Sequence, residues 1–103
     1  MEHTELLKKL ANECESIGVT LYEHGYNYQA FGSWSVTLGR PHHRMHFSWD
    51  GKESYLGIGE AEFTNSNSRP NWEPVFPSMS GTQVSPEEVF GFIYKKVGER
   101  YGT

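Results

Sequence analysis

From Trp34 to Phe63 the chain alternates apolar and polar residues in three segments. Strand side chains point to opposite faces with period two, so each segment predicts a strand with one apolar and one polar face. Asp50-Gly51-Lys52-Glu53 reads as a turn, because glycine accepts positive φ and aspartate caps a bend with its own side chain. Gly39-Arg40-Pro41-His42 reads as a second break, since proline cannot donate to a strand ladder. Closing both loops over four residues sets Phe47 opposite Leu56, Met45 opposite Ile58, Leu38 opposite His43 and Val36 opposite Met45. The two hairpins then agree on one apolar face, made of Trp34, Val36, Leu38, Met45, Phe47, Trp49, Leu56 and Ile58. The opposite face carries Ser35, Thr37, Arg44, His46, Ser48, Tyr55, Gly57 and Gly59.

A further strand is expected between Val19 and Ala30. A three-residue loop Phe31-Gly32-Ser33, with Gly32 in the left-handed region, would put Ala30, Tyr28 and Tyr26 beside Trp34, Val36 and Leu38. Gly25 is a candidate bulge or bend within it.

Two segments have helical rather than strand periodicity. Leu6, Leu7, Leu10, Cys14 and Ile17 make one stripe of a helix from about Thr4 to Ile17, stopped at Gly18. Ser85-Pro86-Glu87-Glu88 is a capping box with proline at the first helical position, and Val89, Phe90, Ile93, Val97 and Tyr101 continue as an apolar stripe. Each helix has one stripe to hide and the sheet has one face to hide. The expected fold is therefore α+β: a two-layer sandwich with a four-stranded antiparallel meander and the N- and C-terminal helices on one face, in the order α-β-β-β-β-α. A chain of 103 residues suits one such domain over 1–103.

Residues 64–84 show neither period. Asn65, Asn67, Pro70, Asn71, Pro74, Pro77 and Gly81 break both, making a loop longer than compact domains usually carry. It also holds Trp72, Val75, Phe76 and Met79, which a solvated linker would lack. The readings are an ordered crossover packed on the domain, a loop presenting Trp72 and Phe76 as interface anchors, and, third, a disordered segment.

Composition narrows the function. The formal net charge of −4 argues against nucleic acid as a partner, because phosphate binding needs a basic surface. A single cysteine, Cys14, excludes an internal disulfide, and its place on the apolar stripe makes it core packing. The first residues lack a basic and hydrophobic signal region, and no apolar run approaches a membrane span. The expectation is a cytoplasmic protein with no membrane partner.

No motif fixes a chemistry. There is no phosphate-binding glycine loop, no dinucleotide fingerprint and no nucleophile elbow. His42, His43 and His46 are close in sequence, but alternation separates His43 from His46, so no metal and no cofactor are expected. The expected register puts His43 opposite Glu60 at the sheet's end, with Tyr26 near. Such a pair is either an ordinary cross-strand charge pair, the weightier reading, or an acid–base couple in a ligand pocket. On the polar face His46 would oppose Gly57 and Arg44 would oppose Gly59. Two glycines there would allow another backbone to approach, with Arg44, His46 and Tyr55 lining the strip. The leading expectation is a small protein-binding domain acting by stoichiometric contact through Trp72, Phe76, Arg44, His46 and Tyr55, an inhibitor or immunity-type protein being one form. The alternative is a small-ligand-binding domain or enzyme built on His43 and Glu60. A homodimer through an exposed sheet edge or through the polar face is a third option.

Overall fold

Both helices form where the stripes predict them. The computed structural model describes residues 3–27, 32–63, 71–75, 79–80 and 85–102. Helix α1 spans His3–Glu15 and buries Leu6, Leu10 and Cys14. It ends in a turn at Gly18, which takes φ +75 as a left-handed stop. Helix α2 spans Pro86–Tyr101, and the Ser85 hydroxyl accepts from the Glu88 backbone N–H. Its buried residues are the five of the predicted stripe, Val89, Phe90, Ile93, Val97 and Tyr101. Such a cap is worth about 1 kcal/mol.

Between the helices run β1 (Thr20–Asn27), β2 (Ser33–Arg40), β3 (His43–Asp50) and β4 (Tyr55–Glu62), all antiparallel and in sheet order. Two short strands follow in the long loop. β5 (Glu73–Pro74) pairs with Gly59 and Glu60, and β6 (Met79–Ser80) pairs with Tyr55 and Leu56. The expected four strands are therefore joined by two more, both against the far edge of β4. Where it is described, the 64–84 segment is an ordered strap. The Val75 N–H, which donates to the Ile58 carbonyl at 2.9 Å, is part of what holds it.

The face assignment holds. Trp34, Val36, Leu38, Met45, Phe47, Leu56 and Ile58 are all buried in one core with the stripes of both helices. The register, however, differs from the expected one by even numbers of residues. Leu38 pairs with Met45, Val36 with Phe47 and Trp34 with Trp49. Phe47 pairs with Ile58 and Trp49 with Leu56. Both hairpins are thus displaced by two residues, because both turns sit later and the first is shorter. Pro41 and His42 alone make the β2–β3 turn, while Gly39 and Arg40 remain in the strand. The β3–β4 turn is 51–54. There Asp50 Oδ1 accepts from the backbones of Lys52 and Glu53, and the left-handed residue is Ser54, φ +51, rather than Gly51.

Strand β1 departs furthest. Tyr26, not Ala30, faces Trp34, so the loop after β1 is longer than three residues; Tyr28 and Ala30 lie outside the described residues. Gly32 does take the left-handed conformation, at φ +73. The irregularity in β1 falls between Leu21 and Glu23, at Tyr22, and not at Gly25. Among the described residues no helix is long and apolar enough to cross a membrane.

Candidate functional site

Polar chemistry gathers on the sheet's outer face, turned away from the helices, and at its end beside the C-terminus of α2.

On the outer face the cross-strand register lines up four small residues. Gly25 faces Ser35, Ser35 faces Ser48, and Ser48 faces Gly57. With strands about 4.8 Å apart, this row makes a shallow trough about 14 Å long running across the sheet. Two hollows of about 460 and 660 Å³ open along it and share Ser33, Ser48 and Trp49. Tyr55 stands at one flank, 40% exposed. On the other flank the Thr37 hydroxyl lies 2.8 Å from His46 Nδ1, and the Ser48 hydroxyl 3.3 Å from His46 Nε2. Burial, partly offset by Glu23, holds the His46 pKa below the usual histidine value.

Glycine at 59 has the role its position suggests. It faces His46 across the ladder, and a Cβ there would lie 3.7 Å from the Trp72 ring. The indole thus lies over the strand, its ring centre 5.6 Å from that of His46 and 5.8 Å from that of Phe63. Trp72 is nevertheless 39% exposed. Beyond it the Arg44 guanidinium is held between two rings, 3.8 Å from the centre of Tyr22 and 4.1 Å from that of Phe63. Its Nε is buried and finds no hydrogen-bond partner among the described residues. The register shift between Leu21 and Glu23 lets Tyr22 and Glu23 both face outward, after Leu21 on the core side.

Three of the five expected contact residues, Arg44, His46 and Trp72, therefore share one flank, and Tyr55 lies on the same face. Phe76 lies outside the described residues. The expected pairing is corrected: His46 faces Gly59 and Arg44 faces Ala61.

At the sheet's end, His43 and Glu60 do meet, though not as cross-strand partners. The backbone of His43 pairs with Glu62 and that of Glu60 with Met45. The side chains meet diagonally, with His43 Nε2 3.6 Å from Glu60 Oε2. Helix α2 supplies what strand reasoning could not foresee. Arg100 Nε reaches the same Glu60 oxygen at 3.4 Å. The Tyr101 hydroxyl donates to the His43 carbonyl at 3.1 Å and lies 2.7 Å from His43 Nδ1. In that arrangement Nδ1–H donates to the phenol oxygen, leaving the Nε2 lone pair toward Glu60 and the cleft. Burial and the Arg100 charge lower the His43 pKa, against the opposite pull of Glu60 and Glu62. Burial pushes the Tyr101 phenol up to about 12. Tyr26 takes no part: it pairs with Trp34, at the far end of the sheet from His43.

A cleft of about 420 Å³ adjoins this cluster, lined by His43, Glu60, Glu62, Asn71, Glu73 and Arg100. Comparison with protein-family models, curated proteins and solved structures finds no match to this chain. The site's chemistry is therefore read from its own residues. Among the described residues no group of three or more histidine, cysteine or acidic side chains is placed to hold a metal ion. Cys14 is buried, and burial followed by the Glu13 charge raises its thiol pKa to about 11, which makes it inert.

Proposed function

We propose that this chain is a small protein-binding domain acting by stoichiometric contact through its outer sheet face. The observation that carries the reading is the trough of small residues between Tyr55 and the Trp72–His46 pair. A floor of glycine and serine admits a partner's side chains or backbone, and half-exposed aromatic rings beside it supply area with little rotamer entropy to lose. Arg44 is held between rings before any partner arrives, so it contributes without an ordering cost. The net charge of −4 favours a partner with a basic surface and would speed encounter more than it deepens affinity. An inhibitor or immunity-type protein that masks such a surface is the concrete form.

The test compares wild type with a Tyr55→Ala/Trp72→Ala variant as immobilised baits, after thermal denaturation has shown both folded. A basic protein retained by wild type and weakened at least about ten-fold by the variant supports the reading, because interface aromatics commonly carry more than about 1.4 kcal/mol each. Identical capture by both baits overturns it.

A second reading rests on the cleft beside His43. A volume of about 420 Å³ is in the range of small-ligand sites, and a neutral imidazole whose Nε2 lone pair faces the cleft is a competent base. Here His43 would take a proton and Arg100 would orient an anionic group. A small molecule that raises the melting temperature of wild type but not of His43→Ala supports this reading. Equal shifts in both proteins reject it.

A further inference from the structure

We infer that β1 is a self-pairing edge, and that two copies of this chain join through it into one continuous sheet. The sheet's two edges differ. β4 is covered on its far side by β5 and β6, whereas no strand among the described residues pairs with the outer side of β1. Glu23, His24, Gly25 and Tyr26 are all exposed, Tyr26 by 49%. Bare edges are usually blunted by bulges, lysine or proline. The bulge at Tyr22 interrupts only the start of β1. Residues 23–27 keep an unbroken register with β2 and contain no lysine, arginine or proline.

Symmetry and charge select the pairing. Two antiparallel copies of one strand in a common sheet are related by a two-fold axis perpendicular to it, so outer face continues into outer face. The axis must then fall at a residue facing its own copy. Placed at Glu23 it opposes two carboxylates, which is destabilising. Placed at His24 it sets Tyr26 against the irregular Tyr22 position. Placed at Gly25 it crosses where no side chain intervenes, with His24 of one copy opposite Tyr26 of the other and Glu23 opposite Asn27. That register covers the most exposed aromatic of the described residues with an imidazole ring.

The Gly25 axis has a consequence for the outer face. The row Gly57–Ser48–Ser35–Gly25 meets its own copy at Gly25, so one trough would cross eight strands. This goes beyond the proposed function, which needs only one copy.

Light scattering coupled to gel filtration, run from micromolar to millimolar wild-type protein, tests the inference. The weight-average mass is expected to rise from 11.8 kDa toward twice that value. Tyr26→Lys puts a cation at the edge and is expected to weaken the dimer at least about ten-fold, as loss of one interface aromatic does. Hydrogen exchange on wild type keeps the test decisive if that variant fails to fold. The amides of 23–27 that point away from β2 should gain protection with concentration, while those of β3 and β4 do not. A mass of one chain throughout overturns the inference, even if β1 captures a strand of some other protein. A dimer with concentration-independent β1 exchange also overturns it, as does a folded Tyr26→Lys variant that dimerises as wild type does.

Discussion

Adding one methyl group at Gly39 tests the packing at the sheet's end. Gly39 lies in β2 opposite Arg44. A Cβ at this position would collide with the His43 carbonyl oxygen, and would sit 2.6 Å from Arg44 Cα and 3.0 Å from the Tyr101 hydroxyl. The first two obstacles are backbone, so no rotamer change relieves them. Relief requires the β2–β3 hairpin to spread beside its turn, which also pulls the Tyr101 hydroxyl from His43. Overpacking costs about 1–3 kcal/mol where side chains can yield, so Gly39→Ala belongs at or above the upper end, about 3 kcal/mol. For a domain near this size each kcal/mol moves the melting temperature by about 4–8 °C, which predicts a fall of about 12–24 °C. Gly91→Ala is the matched control. Gly91 is exposed on α2 with nothing within 4 Å of an added Cβ. The same methyl there should stabilise by about 0.5–1 kcal/mol, through helix propensity alone. Urea denaturation of both variants and wild type, with matching thermal melts, reads the two changes. A Gly39→Ala variant within about 1 kcal/mol of wild type, less than the overpacking range allows, would refute the steric account.

Three other outcomes follow from the same geometry. Burial lowers the pKa of His3, His24, His43 and His46, so the folded chain binds fewer protons than the unfolded one just below the unfolded value of 6.5. Stability from these groups is therefore full above about pH 6.5 and declines as pH falls toward 5; melting temperatures that stay level or rise over that window would contradict it. Cys14 should resist a thiol reagent in native protein at neutral pH and react once urea unfolds the chain, while prompt native labelling would contradict its burial. Arg44→Lys should cost about 1 kcal/mol, because an ammonium cannot stack between Tyr22 and Phe63, and an unchanged urea midpoint would count against that sandwich.

How much of this was legible depends on parity. Alternation tells which face a residue occupies, so the core of Trp34, Val36, Leu38, Met45, Phe47, Leu56 and Ile58 follows from the residues alone. It does not tell which residue stands opposite, because any even displacement preserves the faces. That is how both hairpins shift by two residues and leave the core intact. Gly39 reads as a breaker, yet it is glycine because the neighbouring strand leaves no room for a Cβ. Pro41 serves as the first residue of a two-residue turn, where its fixed φ suits the bend. The His43–Glu60 contact survives the shift because a diagonal neighbour is still within reach of long side chains. Tyr101 and Arg100 were legible as helix residues but not as its partners, since no local pattern relates the end of α2 to a strand turn. Likewise Gly59 signalled a close approach, but only tertiary structure shows that Trp72 makes it. The bulge at Tyr22 left no mark in the hydrophobic pattern.

The unequal borders of the sheet bear on solubility. The strap segments occupy four positions along β4. Among the described residues that leaves the outer side of β1 as the long unpaired border, and a template with one long growing end terminates after one addition. Such a chain has a built-in stop against cross-β polymerisation. Peeling β5 and β6 from β4, by proteolysis or by substitution near Pro74, would bare a second long strand edge and give the sheet a second growth point.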